Sequence, residues 1–340
     1  MVKKVLLALL IILAGISLIY WDMLAYGIGQ ARGQIRIVTQ AQDIEKVLSN
    51  EKFPDSLKQK IRIIEEVRIF AIDSIGLKNS ENYTTLYDQK GETALWNLSA
   101  SEAYNFTPKT WSFPFLGSFP YKGFFDLGKA REEQAKLIEE NYDTRIRAVG
   151  GWSTLGWFSD PILSNMLDRS EGRLADLIIH ELTHATLFVK DNIEFNENLA
   201  SFIGERGTLQ FLESKYGKGS FEVENYIMQD QDGINYVKHM LHCTELLNNL
   251  YYSFSESASD STKELAKNDL IERIVSSVDT LHFHSERYYR IFENAKPNNA
   301  YFMSFLRYHS SEDSLSNILN SKYKGDLTLF IKGMTAYHED

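Results

Sequence analysis

Cysteine is almost missing from this chain: in 340 residues only Cys243 occurs. That excludes an intramolecular disulfide framework and the multi-cysteine zinc sites of structural zinc modules. A metal, if bound, has to sit on His, Asp or Glu. An excess of positive charge is missing as well. The formal net charge is -10, spread along the chain rather than gathered in a tail, which argues against a phosphate backbone or an anionic lipid surface as partner. No nucleic acid is expected. Proline is scarce, with 6 in all, and beyond the first 26 residues no low-complexity run, proline-rich linker or repeat divides the sequence. With 44% hydrophobic residues the chain can bury one large core or two packed together, so residues 27–340 read as one folded unit.

The first 26 residues differ in kind. Lys3 and Lys4 precede an uncharged run from Val5 to Trp21, closed by the aromatic pair Tyr20 and Trp21 before Asp22. The run is near the lower limit for crossing the hydrocarbon core and slightly long for the apolar part of a cleaved signal. No A-x-A cleavage site follows, no cysteine is placed for lipid attachment, and the two aromatics suit an interface. An uncleaved membrane helix over residues 1–26 is therefore expected. The lysines then stay inside, which puts the rest on the extracytoplasmic side, periplasmic in a Gram-negative bacterium.

Along the remainder the texture changes twice. From Asp43 to Ile75 the residues Ile44, Val47, Leu48, Leu57, Ile61, Ile64, Val67 and Ile69 recur at helical spacing, with Pro54 dividing two helices. From Tyr83 to Phe125 aromatics mix with Pro108, Pro114, Pro120, Gly117 and Gly123, the pattern of short strands and turns. Lys129 to Asn141 reads as an amphipathic helix, and Trp152 to Phe158, stopped by Asp160-Pro161, as a short strand. Helical spacing dominates from Arg173 onward. The expected class is α+β, mainly α, with a small β part.

The chemistry lies in Ile178-Ile179-His180-Glu181-Leu182-Thr183-His184, an H-E-x-x-H motif on a helix. Histidines at i and i+4 share one face, so both imidazoles reach one zinc ion at ~2.0–2.1 Å. Glu181 sits beside that face and can take a proton from the water a zinc ion activates. Leu174, Leu177, Ile178, Leu182 and Leu187 supply the apolar surroundings of a dry pocket. Catalytic zinc takes a third protein ligand and keeps one open position. Phe195-Asn196-Glu197-Asn198-Leu199-Ala200 follows after a turn's length, ending the first helix at Lys190-Asp191-Asn192 and starting a second near Phe195 or Asn196. Glu197 and Glu205, two turns apart on that second helix, both stand as candidates.

Asn196-Glu197 followed by Leu199-Ala200 is similar to the N-E-x-x-A segment that bears the glutamate ligand in aminopeptidase N-type enzymes, which are gluzincin metallopeptidases. A wider pattern carries a closer likeness. Gly33-Gln34, Lys109-Thr110-Trp111 with Phe113-Pro114, Pro120-Tyr121-Lys122-Gly123, Ser153 to Phe158 with Asp160-Pro161, His180 to His184, Phe195-Asn196-Glu197 and Asn298-Asn299-Ala300 together resemble the bacterial putative aminopeptidase family. The likeness covers nearly the whole chain after the first segment. It implies a zincin-like core, Zn2+ as cofactor, Glu197 as third ligand beside His180 and His184, and a peptide substrate. Family members commonly start with a lipid-attachment cysteine, and this sequence departs from them there.

Zinc-dependent peptide hydrolysis of the aminopeptidase kind, with Glu181 as general base, is the expected function. A membrane-anchored zinc endopeptidase would share every zinc residue and lack only the carboxylate trap for a free amine, which the sequence does not identify. A non-catalytic zinc-binding scaffold is the other alternative, and an intact Glu181 argues against it. Tyr301 and Tyr308, near Asn298-Asn299-Ala300, are candidate oxyanion donors. The strand around Ser153 to Gly156 is a candidate edge for an extended peptide. His239 with His242, and His282 with His284, have no carboxylate nearby in the right pattern and read as packing or surface residues.

Overall fold

Pro54 separates two helices as its missing N–H requires: α2 spans Ile44–Ser49 and α3 spans Asp55–Asp73. They belong to a computed structural model that describes residues 20–113, 117–150, 159–190, 192–293, 295–307 and 312–339. Ile44 and Val47 of α2 and Ile61, Ile64, Val67 and Ala71 of α3 are buried at the expected spacing. A helix not foreseen from the sequence precedes them, α1 at Trp21–Gln40. It is held by close approach: a Cβ at Gly33 would stand 2.1 Å from the Phe125 ring, so only glycine lets the helix lie there. Residues 1–19, most of the expected membrane helix, lie outside the described residues. Among the described ones no helix is long and apolar enough to cross a membrane.

The aromatic, turn-rich stretch forms small sheets, as its texture implies. Strand β1 (Gln42–Asp43) runs antiparallel to β2 (Thr85–Tyr87), which pairs in parallel with Ile162–Leu163, the last strand, β8. A second sheet centres on β3 (Trp96–Glu102), flanked antiparallel by β6 (Lys122–Phe124) and β7 (Tyr142–Ala148). Strands β4 (Trp111–Phe113) and β5 (Gly117–Phe119) pair by themselves. The strand expected from Trp152 to Phe158 falls outside the described residues.

Side chains alternate along a strand, so the β3–β7 register sorts the second sheet into two faces. Leu98 opposite Ile146 and Ala100 opposite Thr144 make one face. It is covered by α4 (Leu127–Glu139), with Leu98, Ala100, Phe124, Ala130 and Leu137 buried together. The other face carries Asn97 opposite Arg147, Ser99 opposite Arg145 and Ser101 opposite Asp143.

The C-terminal half is helical, as expected. Helices α5 (Glu171–Thr186), α6 (Ile193–Tyr216), α7 (Phe221–Tyr252) and α8 (Asp260–Ser277) are followed by the short α9 (Asn299–Phe302), then α10 (Glu312–Tyr323) and α11 (Leu327–Glu339). A mainly aliphatic core gathers residues of α2, α3, α5, α6, α10 and α11. A separate, tyrosine-rich core joins α7, α8 and α9 through Tyr236, Met240, Leu247, Tyr251, Ile271, Tyr288, Tyr301 and Phe302.

Candidate metal centre

Helix α5 starts at a serine cap, with Ser170 Oγ accepting from the Arg173 N–H. Leu174, Ala175, Ile178, Ile179 and Leu182 are buried along it, so the helix is locked into the aliphatic core on most of its circumference. His180 and His184 occupy the remaining strip one turn apart, their rings edge to face with centroids 4.8 Å apart. The helix ends at Thr186, earlier than the Lys190-Asp191-Asn192 stop read from the sequence, and Leu187 is already extended. The difference is physical. Val189 is clamped on both sides by one side chain: Asn196 Oδ1 accepts from the Val189 N–H at 2.8 Å and Asn196 Nδ2 donates to its carbonyl at 2.8 Å. The clamp and the Asn192 cap of α6, which accepts from the Phe195 N–H, set where α6 begins and so how its first turn faces α5.

Glu197 follows the clamp directly, and its carboxylate comes back to both histidines. Glu197 Oε2 lies 3.6 Å from His180 Nε2, and Oε1 lies 3.8 Å from His184 Nε2. The two imidazole nitrogens are 3.2 Å apart. These three side chains form a group that could hold a metal ion, with the ligand atoms all within 4.8 Å of one another. The donor set fits zinc. Two ligands at ~2.0–2.1 Å from a tetrahedral ion stand about 3.3 Å from each other, close to the spacing of the two nitrogens.

Electrostatics follow from burial and from the company each group keeps. Burial presses His184 down to about 4, helped by the charge of His180. His180 is also burdened by burial, yet Glu197, Glu181 and Asp176 outweigh it and hold its pKa above the ordinary imidazole value. Glu197 stays below the usual carboxylate range because the two histidines and Arg147 more than offset its burial. Glu181 is buried beside them, and burial, with the charges of Glu197 and Asp160, pushes it up to about 7 against the opposing pull of His180 and Arg169. A neutral imidazole, an ionised carboxylate and a buried second carboxylate are the states metal-assisted hydrolysis uses.

Glu205, the other candidate from the sequence, is not in the group. Two turns beyond Glu197, its charge is felt by Tyr226 of α7 instead. Tyr301 is also engaged elsewhere: its hydroxyl is hydrogen-bonded to that of Tyr236, and its ring lies under the Arg145 guanidinium. Tyr308 and the segment Ser153 to Gly156 lie outside the described residues. His239 Nε2 pairs with Ser277 Oγ at 2.8 Å and His242 faces the exposed Glu245. His284 corrects the expectation of no carboxylate: Nδ1 lies 2.9 Å from Asp232, a residue of α7 far from it in sequence.

Sequence reasoning missed the support around the site. Asp176 sits one turn before His180, bonded to Arg173 at 3.2 Å, and its charge acts on His180. A Cβ at Gly204 would approach Asp176 Oδ1 to 2.7 Å, so a glycine in α6 leaves room for that carboxylate. The spacing Asp176-x-x-x-His180 was a legible signal for Asp176. Nothing local announced Gly204 or the Asn196 clamp.

No curated protein and no solved structure matches the chain. Residues 25–339 do match one family, described as putative aminopeptidase. That span takes in both helices of the metal-capable group, and it makes this protein a member of the putative aminopeptidase family.

Proposed function

We propose that the protein is a zinc-dependent aminopeptidase in which His180, His184 and Glu197 hold the ion and Glu181 is the general base. The observation that carries this reading is the convergence of two imidazoles and one carboxylate from α5 and α6 on a single point, within a chain of aminopeptidase family type. Zinc, when bound, supplies Lewis acidity to the scissile carbonyl and acidifies the attacking water. Glu181, adjoining His180 on the same helix and buried, accepts the proton from that water and passes it to the leaving amine. His180 and His184 present their Nε2 atoms from a helix fixed by Ile178, Ile179 and Leu182, and the Asn196 clamp holds Glu197 opposite them. Asp176, one turn away, acts on His180 through its charge, an outer influence of the kind that tunes a ligand's basicity.

The site belongs to one catalytic unit, residues 27–340. Lys3, Lys4 and the uncharged run from Val5 to Trp21 support its attachment to a membrane by residues 1–26, with the unit on the extracytoplasmic side. Metal content and hydrolysis test the reading together. About one zinc per chain is expected by elemental analysis, with free-amine peptides cleaved in preference to amino-blocked ones. Glu181→Gln should keep the zinc and lose ~10²–10⁴-fold in kcat, while His184→Ala should lose the metal. A chain that takes up no zinc, or a Glu181→Gln variant with full activity, would sink the assignment; equal cleavage of blocked peptides would make the enzyme an endopeptidase.

A further inference from the structure

Helix α1 has a fixed inner side and an open outer one. On the inner side the Tyr26 hydroxyl and Gln30 Nε2 both donate to the Gly123 carbonyl of β6, at 2.9 and 2.8 Å, and Gly33 and Ile37 are buried. The outer side carries Leu24, Ile28, Ala31, Ile35 and Val38, spaced by four, three, four and three residues, which puts them in one stripe along the helix. Leu24, Ile28, Ile35 and Val38 are exposed by 41%, 56%, 57% and 36%. With its inner side pinned, the helix cannot roll the stripe inward, so this apolar face stays at the surface.

What covers the stripe follows from where it starts. Helix α1 opens at Trp21, the last residue of the uncharged run from Val5, and Leu24 comes three residues later. The helix is not apolar enough to cross a bilayer, so it meets one only by lying along it. A second copy of the chain fits less well, because the stripe from 24 to 38 spans two heptads, short of the roughly three or four that sustain a coiled coil. Beside the stripe a groove of about 490 Å³ runs between α1 and the start of α4, with Trp21, Ile28, Arg32, Arg36, Phe125 and Lys129 among its walls. Ile28 belongs to both surfaces. The groove's charges are three cations and one carboxylate, Asp126, the complement of a zwitterionic headgroup with its phosphate and its ammonium. The chain's net charge of -10 disfavours an anionic surface and leaves a zwitterionic one open.

We infer that α1 lies along the bilayer surface, with its stripe of Leu24, Ile28, Ile35 and Val38 in the acyl boundary and the adjoining groove on the headgroup of a zwitterionic phospholipid. A helix with a Trp, Leu and Ile face and arginines at its rim is suited to that plane. Arg32 and Arg36 extend from the side of the helix, where long cationic side chains reach lipid phosphates while their stems cover apolar surface. The inference rests on the membrane attachment proposed above, and vesicle flotation separates the two.

The full chain, with its single cysteine removed by Cys243→Ala, is reconstituted in phosphatidylcholine vesicles and carries one fluorophore at Leu24→Cys, Ile28→Cys, Ile35→Cys or Val38→Cys. Leu265→Cys, at a residue of α8 that is 70% exposed, serves for comparison. Lipid brominated near the headgroup end of its acyl chains should quench all four α1 labels ~2-fold or more, because such a helix sinks its apolar face ~5–10 Å into that boundary. The Leu265 label should not change. Arg32→Gln combined with Arg36→Gln should weaken the quenching at Ile28 and Ile35, and no change there would remove the headgroup from the groove. Quenching that falls away steadily from Leu24 to Val38 would stand the helix upright and overturn the inference. Labels untouched by lipid but quenching one another between copies would give the stripe to a second chain and overturn it too. A chain that floats with the vesicles while its α1 labels stay unquenched keeps the attachment and loses the surface helix, whereas a chain that does not float loses both.

Discussion

The two large cores of this protein are built from different materials. Around the metal-capable group the core is aliphatic, with Ile178, Ile179, Leu174 and Leu182 of α5 set against Leu199, Phe202 and Ile203 of α6. Around α7 to α9 it is made of tyrosines whose hydroxyls need partners: Tyr251 donates to Asn299 Oδ1 at 2.7 Å and Tyr236 pairs with Tyr301. A buried polar network completes it, in which Asn299 Nδ2 donates to the carbonyls of Glu102 and Ala103 and its N–H donates to Asp143. The first region positions by shape, since close packing leaves the two histidines one place to stand. The second positions by direction, pinning a four-residue helix too short to hold itself.

Matched core truncations test that contrast with the largest effect. Ile178→Ala and Met240→Ala each remove a fully buried side chain and should each destabilise by about 2–5 kcal/mol in urea titrations. Only Ile178→Ala should also weaken zinc affinity, because only it loosens the helix bearing both histidines. Equal zinc affinity in the two variants would break the comparison.

Metal-induced stabilisation should be confined to the first region. Zinc at ~100-fold above its dissociation constant is expected to add about 2.7 kcal/mol to the stability of the metal-free chain, seen as a rise in melting temperature. Glu197→Ala should remove most of that rise and Glu205→Ala little of it. The opposite ranking would move the third ligand to Glu205.

In the second region the expected loss is smaller and lies in hydrogen bonds. Asn299→Ala leaves the Tyr251 hydroxyl and three carbonyls without their partner, a loss of roughly 1–3 kcal/mol, while zinc binding stays as in the parent. Thermal unfolding with and without zinc reads both quantities at once.

The smallest effect concerns pH. Asp232 is buried, which by itself would raise its pKa, but the backbone N–H groups of His284 and Ser285 and the His284 ring together hold it below the ordinary carboxylate value. A depressed carboxylate contributes stability that is complete above its unfolded pKa of ~3.9 and is lost as pH falls through the folded value. The gap between parent and Asp232→Asn, about 1 kcal/mol, should thus hold steady from neutral pH down to about 5 and close in stronger acid. A gap that widens on acidification would show that the aspartate is not held ionised there.

What the sequence by itself determined is whatever repeats within one element. The i and i+4 spacing of His180 and His184, the burial stripes of α2 and α3, the break at Pro54 and the short strands after Tyr83 are all set by backbone geometry over a few residues, and all were legible. Helix α1 was not, because its defining contact, Gly33 against Phe125, joins residues far apart in sequence. The sequence left both Glu197 and Glu205 as candidates, with the motif context and the family likeness favouring Glu197. The fold brought Glu197 to the imidazoles beside the Asn196 clamp and left Glu205 outside the group, a choice made by how two helices pack. His284 likewise found Asp232 through a contact that no local period encodes. Spacing along a helix is fixed by 3.6 residues per turn, whereas the meeting of one helix with another, or with a sheet face, depends on packing the whole core.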